Sequence, residues 1–431
     1  MARADCIGRL SAWVPPSIPA MPLDPGRTVA ELRELNELTG DAAGAQRVAF
    51  TDTWARAREW MREKLDELPV EVEDDAAGNR WATLRGESDR ALLIGGHIDS
   101  VPNGGWLDGA LDLLAGLEVL RRVAEDGHPA HTVRLVDWAD EEGARFGRSL
   151  FGSSAASGTL DVEEVRGLSD SKGIALADAL AEHGIDLERL GEARGQLEGA
   201  AAYLELHIEQ GPVLERCDLP LGVVLGTFGL ERTRVSFSGQ AAHAGSTPMD
   251  VRRDALAAAA RLLLELREIA KRGGGVGTVG TIGARPGIVT AIPGECEIGL
   301  DQRHLEASGL AAMVAEARAA AERIAGEEGV ELVWQPIWAI DPIRFDPELI
   351  ELGKAAVREL AIDAPTLASG PLHDAAEAAR AGVPTVMLFV QSLRGLSHAK
   401  EEDTRHEHLE LAVEALDRLT IKTLAWAGGR P

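Results

Sequence analysis

Residues 94–112, IGGHIDSVPNGGWLDGALD, decide how the chain is read. The apolar run 91–94 predicts a buried strand that ends in two glycines just ahead of His97-Ile98-Asp99. Side chains alternate along extended backbone, so His97 and Asp99 point the same way. That pairing suits a metal ligand and its orienting partner, because a ligating imidazole hands its other N–H to an acceptor. Beyond a glycine-rich turn, Asp108-Gly109 brings a second anionic group back towards the first. Taken alone, the stretch also fits a structural histidine at a strand end.

On either side, strands alternate with helices. Val29, Leu32, Leu35 and Leu38 recur every three residues and predict a helix from Arg27. Thr51-Asp52-Thr53 is a capping cluster for a second helix, with Ala57, Trp60, Met61, Leu65 and Leu68 on one face. Strands are expected over 70–74, 80–85, 91–96 and 132–138, and a helix over 112–126. This pattern predicts an α/β fold whose mixed, partly parallel sheet is covered by helices. Ligands in such sheets gather beyond the carboxyl ends of the strands. Composition shifts near Asp218. Short β-like runs (222–225, 234–238, 278–282) then surround a helix at 253–272, and a strand at 295–301 leads to a helix at 309–326. After Asp341 the alternation resumes, with helices expected over 348–360 and 408–426 and a strand over 383–389. The expected organisation is an N-terminal arm (1–26), a discontinuous catalytic domain (27–217 and 335–431) and a smaller α+β insert (218–334).

Composition narrows the function. With 45% hydrophobic and 26% charged residues, the 431-residue chain is ordinary for a globular protein. A net charge of −26 argues against nucleic acid or an anionic membrane as partner. No run is long and apolar enough to predict a membrane span, and the N-terminus lacks the apolar core of a secretory signal. Cys6, Cys217 and Cys296 lack metal-finger spacing and suit free thiols in a reducing compartment. A cytoplasmic protein is the expectation.

Six residues gather at predicted strand ends or in the loops after them: His97, Asp108, Glu141, Glu142, His207 and His398. Imidazoles mixed with carboxylates favour Zn²⁺, or Mn²⁺ and its neighbours, over ions that want thiolates. Six groups exceed the needs of one tetrahedral ion. They suit two ions sharing a carboxylate, with one carboxylate left over as general base; such a pair lowers the pKa of a water and polarises the carbonyl it attacks. Each residue also has an ordinary reading. Glu141-Glu142 suits a solvated loop, His207 a capping role, and His398 a hydrogen bond to Glu401 or Glu402. The glycines after Ile94 do not form the GxGxxG of a nucleotide-binding turn.

Seven segments carry a more specific resemblance: DAAGN (75–79), GGHIDSVPNGGWLDGAL (95–111), DEEGARFGRSLFGS (140–153), LHIEQGPVLE (206–215), GQAAHAGSTPMDVRRDA (239–255), IPGECEIGLDQRH (292–304) and GLSHAKEED (395–403). Together they resemble the peptidase-M20-like metal amidohydrolases of the hydantoinase/carbamoylase branch. That branch includes N-carbamoyl-L-amino acid hydrolases, allantoate amidohydrolases and β-ureidopropionase-like enzymes. The resemblance implies two divalent ions per subunit (Zn²⁺, Mn²⁺, Co²⁺ or Ni²⁺), held by His97, Asp108, Glu142, His207 and His398, with Asp108 bridging. It implies Glu141 as base, Asp99 as the partner that orients His97, and His243 as oxyanion stabiliser. Gln210, Arg303, His373 and the position of Thr290 are implied to contact a small amide substrate, Arg303 clamping its carboxylate. On the residues alone, His243 reads as an ordinary loop residue and Arg303 as a partner of Asp301. The insert would act as a lid and dimerisation domain of a homodimer. The implied reaction converts an N-carbamoyl-L-amino acid to the L-amino acid, ammonia and CO₂. The alternatives are an N-acyl-amino-acid deacylase or an allantoate/ureido-type amidase, while the complete ligand set argues against a non-catalytic binding protein. Four positions depart from the family pattern: Thr290 replaces asparagine, Pro371-Leu372 replaces small residues, Asp112 replaces glycine, and Trp106 takes a position that is often polar.

Overall fold

The computed structural model describes residues 23–429. The expected arm over 1–26 therefore lies outside the described residues except for its last four. Of these, Pro25 already opens the first helix, Pro25–Thr39, capped by the Asp24 carboxylate on the Arg27 N–H. Proline at the first helical position lacks only an N–H that would have had no partner there, so helix begins two residues before the expected Arg27. Thr51 caps the second helix, Asp52–Leu65, as expected.

A small hairpin, β1 (Gly40–Asp41) and β2 (Gly44–Ala45), precedes the main strands. These are β3 (Glu71–Asp74), β4 (Arg80–Leu84), β5 (Ser88–Gly96), β6 (His131–Asp137), β7 (Ala200–Ile208) and β8 (Leu221–Thr227). The chain then leaves for β9 (Gly229–Ser238), β10 (Ala242–His243), β11 (Val276–Arg285), β12 (Ala291–Ile292), β13 (Glu295–His304) and β14 (Glu331–Ile340). It returns as β15 (Ile343–Arg344), β16 (Thr366–Ser369) and β17 (Thr385–Val390).

The nine-stranded sheet has the order β15-β8-β17-β7-β5-β6-β4-β3, with β16 also paired to β8. Its centre is parallel: β17 with β7, β7 with β5, and β5 with β6. Four adjacent strands therefore end side by side at one edge of the molecule. Residues 91–96 of β5 are all buried, as the apolar run predicts. The helix Ala110–Glu125 is buried on nearly every side, between the sheet and the helices Pro25–Thr39 and His406–Gly428.

The excursion forms an antiparallel sheet, β11-β13-β9-β14, under the paired helices Ala255–Gly273 and Ala307–Glu328. It has its own core, including Val235, Phe237, Leu262, Leu266, Ile298 and Ile324. Sheet membership differs from the expected insert limits of 218 and 334 at both ends. β8 lies in the large sheet, where its run of apolar side chains is buried by β17 and β16. β14 lies wholly in the small sheet, paired with β9 from Glu331 to Ile340, and its mostly exposed side chains suit an outer strand.

The first helix is tied down by buried charge. Glu118, fully buried, accepts from the Asp24 N–H at 2.7 Å, from Arg27 at 2.6 and 2.8 Å and from Arg121 at 3.2 Å. Arg121 also forms a bidentate pair with Glu31 at 2.9 Å. Removing one member of such a network leaves the others buried and unpaired. Glu118→Ala is expected to lose about 3–5 kcal/mol of unfolding free energy in denaturant titration; a loss within error of zero would show that the network is not what holds this helix.

Candidate metal centre

The parallel centre delivers the six singled-out side chains to one place. His97 is the first residue past β5, Glu141 and Glu142 lie in the turn after β6, His207 is near the end of β7, and His398 is in the loop after β17. Asp108 precedes the helix Ala110–Glu125. Several turns that present them are strained. Asp140, Gln210 and His398 all adopt the left-handed region, at φ 54, 55 and 57°. Such outliers in non-glycine residues cluster where function over-determines the backbone. Gly109, at φ 68°, has a steric role as well: a Cβ there would stand 2.3 Å from the His97 ring.

Two donor sets meet at Asp108. Its Oδ1 lies 3.3 Å from His207 Nε2 and 3.9 Å from His97 Nε2. Its Oδ2 lies 3.4 Å from His398 Nε2, which is in turn 3.3 Å from Glu142 Oε2. Ligands about 2.0–2.2 Å from a common ion stand at comparable separations. The far sides of the imidazoles are occupied. His207 Nδ1 donates to the Ile208 carbonyl at 2.8 Å, leaving Nε2 for a ligand. His97 Nδ1 lies 3.2 Å from the Asp99 carbonyl oxygen and 3.5 Å from the Asp99 carboxylate. Asp99 thus orients His97 through its backbone as much as its side chain. Its carboxylate also receives the N–H groups of Glu141 and Glu142, each at 3.2 Å, which fixes the acidic turn against the histidine.

Buried polar atoms are normally satisfied, and here several are not: His97 Nε2, Glu142 Oε1 and both oxygens of Asp112. All belong to groups that ligate divalent ions. Among the described residues, the sets His97/Asp112/His207 and Asp108/Glu142/His398 each bring their ligand atoms within 4.8 Å of one another. The donor chemistry and the orphaned atoms fit a pair of divalent cations.

Charge says the same. Burial, then the neighbouring Asp108, pushes the Glu142 carboxyl up to about 8. Glu141 is pushed well up by burial and by Asp374 and Glu142. Burial disfavours protonation of His97 and His207, but the surrounding carboxylates overcome it and raise both. Glu402 rises to about 8 through burial and Asp108, although it accepts the Leu107 and Asp108 N–H groups at 3.0 Å and so shapes the Asp108 turn. A bound cation inverts these preferences by stabilising the ionised carboxylates and the neutral imidazoles.

A cavity of about 370 Å³ opens over the site. Asp108, Glu141, Glu142, His207, Gln210, Arg303, His373 and His398 all line it. Gln210 donates to Asp108 Oδ2 at 2.8 Å. The His373 ring lies 4.3 Å from that of His207, tilted by 55°, and meets Ser369 Oγ at 2.9 Å. Burial and the neighbouring His207 hold His373 well below its usual range, so it is a neutral hydrogen-bonding wall. Arg303 reaches across from the small sheet. It pairs with Asp301 at 2.7 and 3.2 Å and donates to the Gly370 carbonyl at 3.0 Å. Pro371 and Leu372 also line the cavity. His243 and Thr290 do not. His243 lies on the β10–β12 ladder and Thr290 in the turn just before β12, both exposed, with the Ala244 N–H donating to the Thr290 carbonyl at 2.9 Å.

The sequence reading missed Phe228, Leu230, Arg232 and Trp338, which complete the side of the cavity next to the small sheet. Leu230 and Arg232 lie on β9, Trp338 on β14 and Phe228 between β8 and β9, and only the placing of these strands beside the large sheet brings them to the site. It also missed Arg47, fully buried, which donates to the Ile98 carbonyl at 2.8 Å beneath the acidic cluster.

A model of peptidase family M20/M25/M40 matches residues 93–422. The N-carbamoyl-L-amino acid amidohydrolase of Geobacillus stearothermophilus is 37% identical over 390 residues, 89% of this chain and 95% of its own. The allantoate amidohydrolase of Bacillus subtilis is 32% identical, over 88% of this chain and 92% of its own. Among solved structures, a hydantoinase/carbamoylase family amidase from Burkholderia multivorans superposes with a TM-score of 0.85 at 31% identity, over 94% of this chain and 99% of its own.

Glu142 and Glu402, raised to about 8 in the folded ion-free protein, bind more protons there than in the unfolded chain between their ordinary range and pH 8. Their contribution to stability is therefore greatest at low pH and is lost as pH rises through 8. Chelator-stripped protein should show a melting temperature that falls between pH 5 and pH 8, and divalent ions should flatten the fall. An ion-free melting temperature that rises over this range would contradict the electrostatic picture.

Proposed function

This chain belongs to peptidase family M20/M25/M40, and from that premise we propose that it hydrolyses the carbamoyl group of an N-carbamoyl-L-amino acid, releasing the L-amino acid, ammonia and CO₂. It is a hydrolase of linear C–N bonds other than peptide bonds. One observation carries this reading: Asp108, with one oxygen facing His97 and His207 and the other facing His398, lines the same cavity as Glu142, a spare buried carboxylate, Glu141, and an arginine from the lid, Arg303. His97, Asp108 and His207 would hold one divalent ion, and Asp108, Glu142 and His398 the other. When bound, the pair polarises the substrate carbonyl and acidifies the attacking water.

The protein's own groups do the rest. Glu141, held by its N–H on Asp99 and lying 3.8 Å from His97, takes the proton of the attacking water and returns it to the leaving nitrogen. Arg303, already oriented by Asp301, receives the substrate carboxylate. Gln210 and the neutral His373 contact the amide. His243 and Thr290 lie off the cavity, which supports a homodimer in which the lid of a second copy supplies them. The exposed apolar residues Val276, Ile282, Val333 and Ile337 of the small sheet support such pairing. Free Cys217 and Cys296 support a cytoplasmic location. Among the described residues no helix is long and apolar enough to cross a membrane.

Release of ammonia from N-carbamoyl-L-amino acids and from allantoate, set against acetate from N-acetyl-L-amino acids, tests the substrate. Ammonia from the carbamoyl compounds is expected; acetate alone would make the enzyme a deacylase, and no product from any arm would overturn the reading. Glu141→Gln is expected to keep its ions while kcat falls roughly 10²–10⁴-fold. Near-normal turnover in that variant would remove Glu141 from the mechanism.

A further inference from the structure

We propose that Asp112 is a further ligand of the ion held by His97 and His207, giving that position a carboxylate of its own beside the bridging Asp108. This rests on the two-ion reading above. Asp112 is the third residue of the helix Ala110–Glu125, four after Asp108 in sequence. Asp108 stands just ahead of that helix, and both carboxylates approach the same imidazole nitrogen: His207 Nε2 is 3.3 Å from Asp108 Oδ1 and 3.8 Å from Asp112 Oδ2. Asp112 is 1% exposed, and neither of its oxygens has a hydrogen-bond partner. Its Oδ2 lies 3.8 Å from His207 Nε2, and its ligand atoms, with those of His97 and His207, fall within 4.8 Å of one another.

The backbone is arranged to admit it. A Cβ on Gly96 would stand 2.2 Å from the Asp112 Cβ, so β5 carries no side chain where the aspartate enters. A buried carboxylate without partners is costly in either protonation state: ionised it lacks a counter-charge, and neutral it has an O–H with nothing to donate to. A cation between Asp112 and the two imidazoles resolves both. Asp112 does not line the cavity, so it acts on the ion and not on the substrate. Two imidazoles with two carboxylates make that position more closed and richer in oxygen than a three-ligand site, which favours ion retention and shifts preference towards harder ions such as Mn²⁺.

The test is chelator competition with ion counting on the full chain and its Asp112→Asn and Asp112→Ala variants, alongside Co²⁺ absorption spectra. Two ions are expected in the unaltered protein. In the variants one ion should weaken by at least about tenfold, as for lost metal-site partners, while the other is unchanged and the Co²⁺ spectrum alters. Two ions of unchanged affinity and an unaltered spectrum in the variants would overturn the role of Asp112 and leave the two-ion reading standing. No ion uptake by the unaltered protein would overturn that reading and this inference with it. A metal-loaded crystal of the unaltered protein gives an answer independent of variant folding. An Asp112 oxygen at about 2.0–2.2 Å from the ion supports the assignment, and a water between them refutes it.

Discussion

Negative charge is packed together at the ends of four parallel strands with too little protein cation to offset it. Asp99, Asp108, Asp112, Asp140, Glu141, Glu205 and Glu402 are all buried near the imidazoles of His97 and His207. The fully buried arginine beneath them, Arg47, interacts with Glu402, Asp99, Asp108 and Glu142. One guanidinium cannot compensate so many carboxylates, and burying uncompensated charge is among the most costly things a fold can do. The arrangement is tenable only with divalent ions in place or with several acids kept neutral. This constraint explains why the supporting backbone is so closely determined, with left-handed residues, carboxylate-held N–H groups and glycines at contact points.

Those glycines show how tightly the parts fit. Gly96 faces the Asp112 side chain, Gly105 faces Glu402, and Gly109 faces the His97 ring, each at a distance that no real Cβ tolerates. The three lie within or beside the stretch that carries His97 and Asp108. Removing the side chain at each lets two acidic groups and an imidazole approach the backbone directly. The strand, the turn and the first turn of the following helix therefore act as one unit.

Much of this was legible in the sequence because local pattern and local chemistry agreed. The apolar run before His97, ending in two glycines, reads as a buried strand, and β5 is one. Metal-ligating residues at strand ends then followed from the α/β alternation. Where the reading failed, the missing information was tertiary. The apolar run in β8 announces a strand but not which sheet it joins, and its partners β16 and β17 lie more than a hundred residues on. Asp112 reads as an ordinary acidic residue in the first turn of a helix, because burial against Gly96 depends on a helix–strand approach that no local pattern encodes. Arg232 and Trp338 reach the cavity only because β9 and β14 are paired and tilted over it. His243 and Thr290, prominent in the resemblance, lie at a small ladder that this single chain leaves facing outwards.

The cavity's two walls carry opposite chemistry, and this bears on what it admits. On the catalytic side stand the carboxylates and imidazoles that bind cations. On the small-sheet side Arg303 and Arg232 both pair with Asp301, at 2.7 and 3.0 Å, and Arg232 also stacks over Trp338. Despite partial burial, the two arginines hold the Asp301 carboxyl below its usual range. Two guanidiniums against one carboxylate leave the small-sheet wall with a single excess positive charge, and the shared Asp301 fixes where it sits. A molecule that spans the cavity must therefore offer a polarisable carbonyl at one end and one negative charge at the other. An N-carbamoyl amino acid has this form, and so does an N-acyl one; the carboxylate end cannot distinguish them. Discrimination falls to the wall around the carbonyl, where Pro371 and Leu372 stand beside His373, and where a ureido nitrogen must find a hydrogen-bond partner that an acyl methyl does not need.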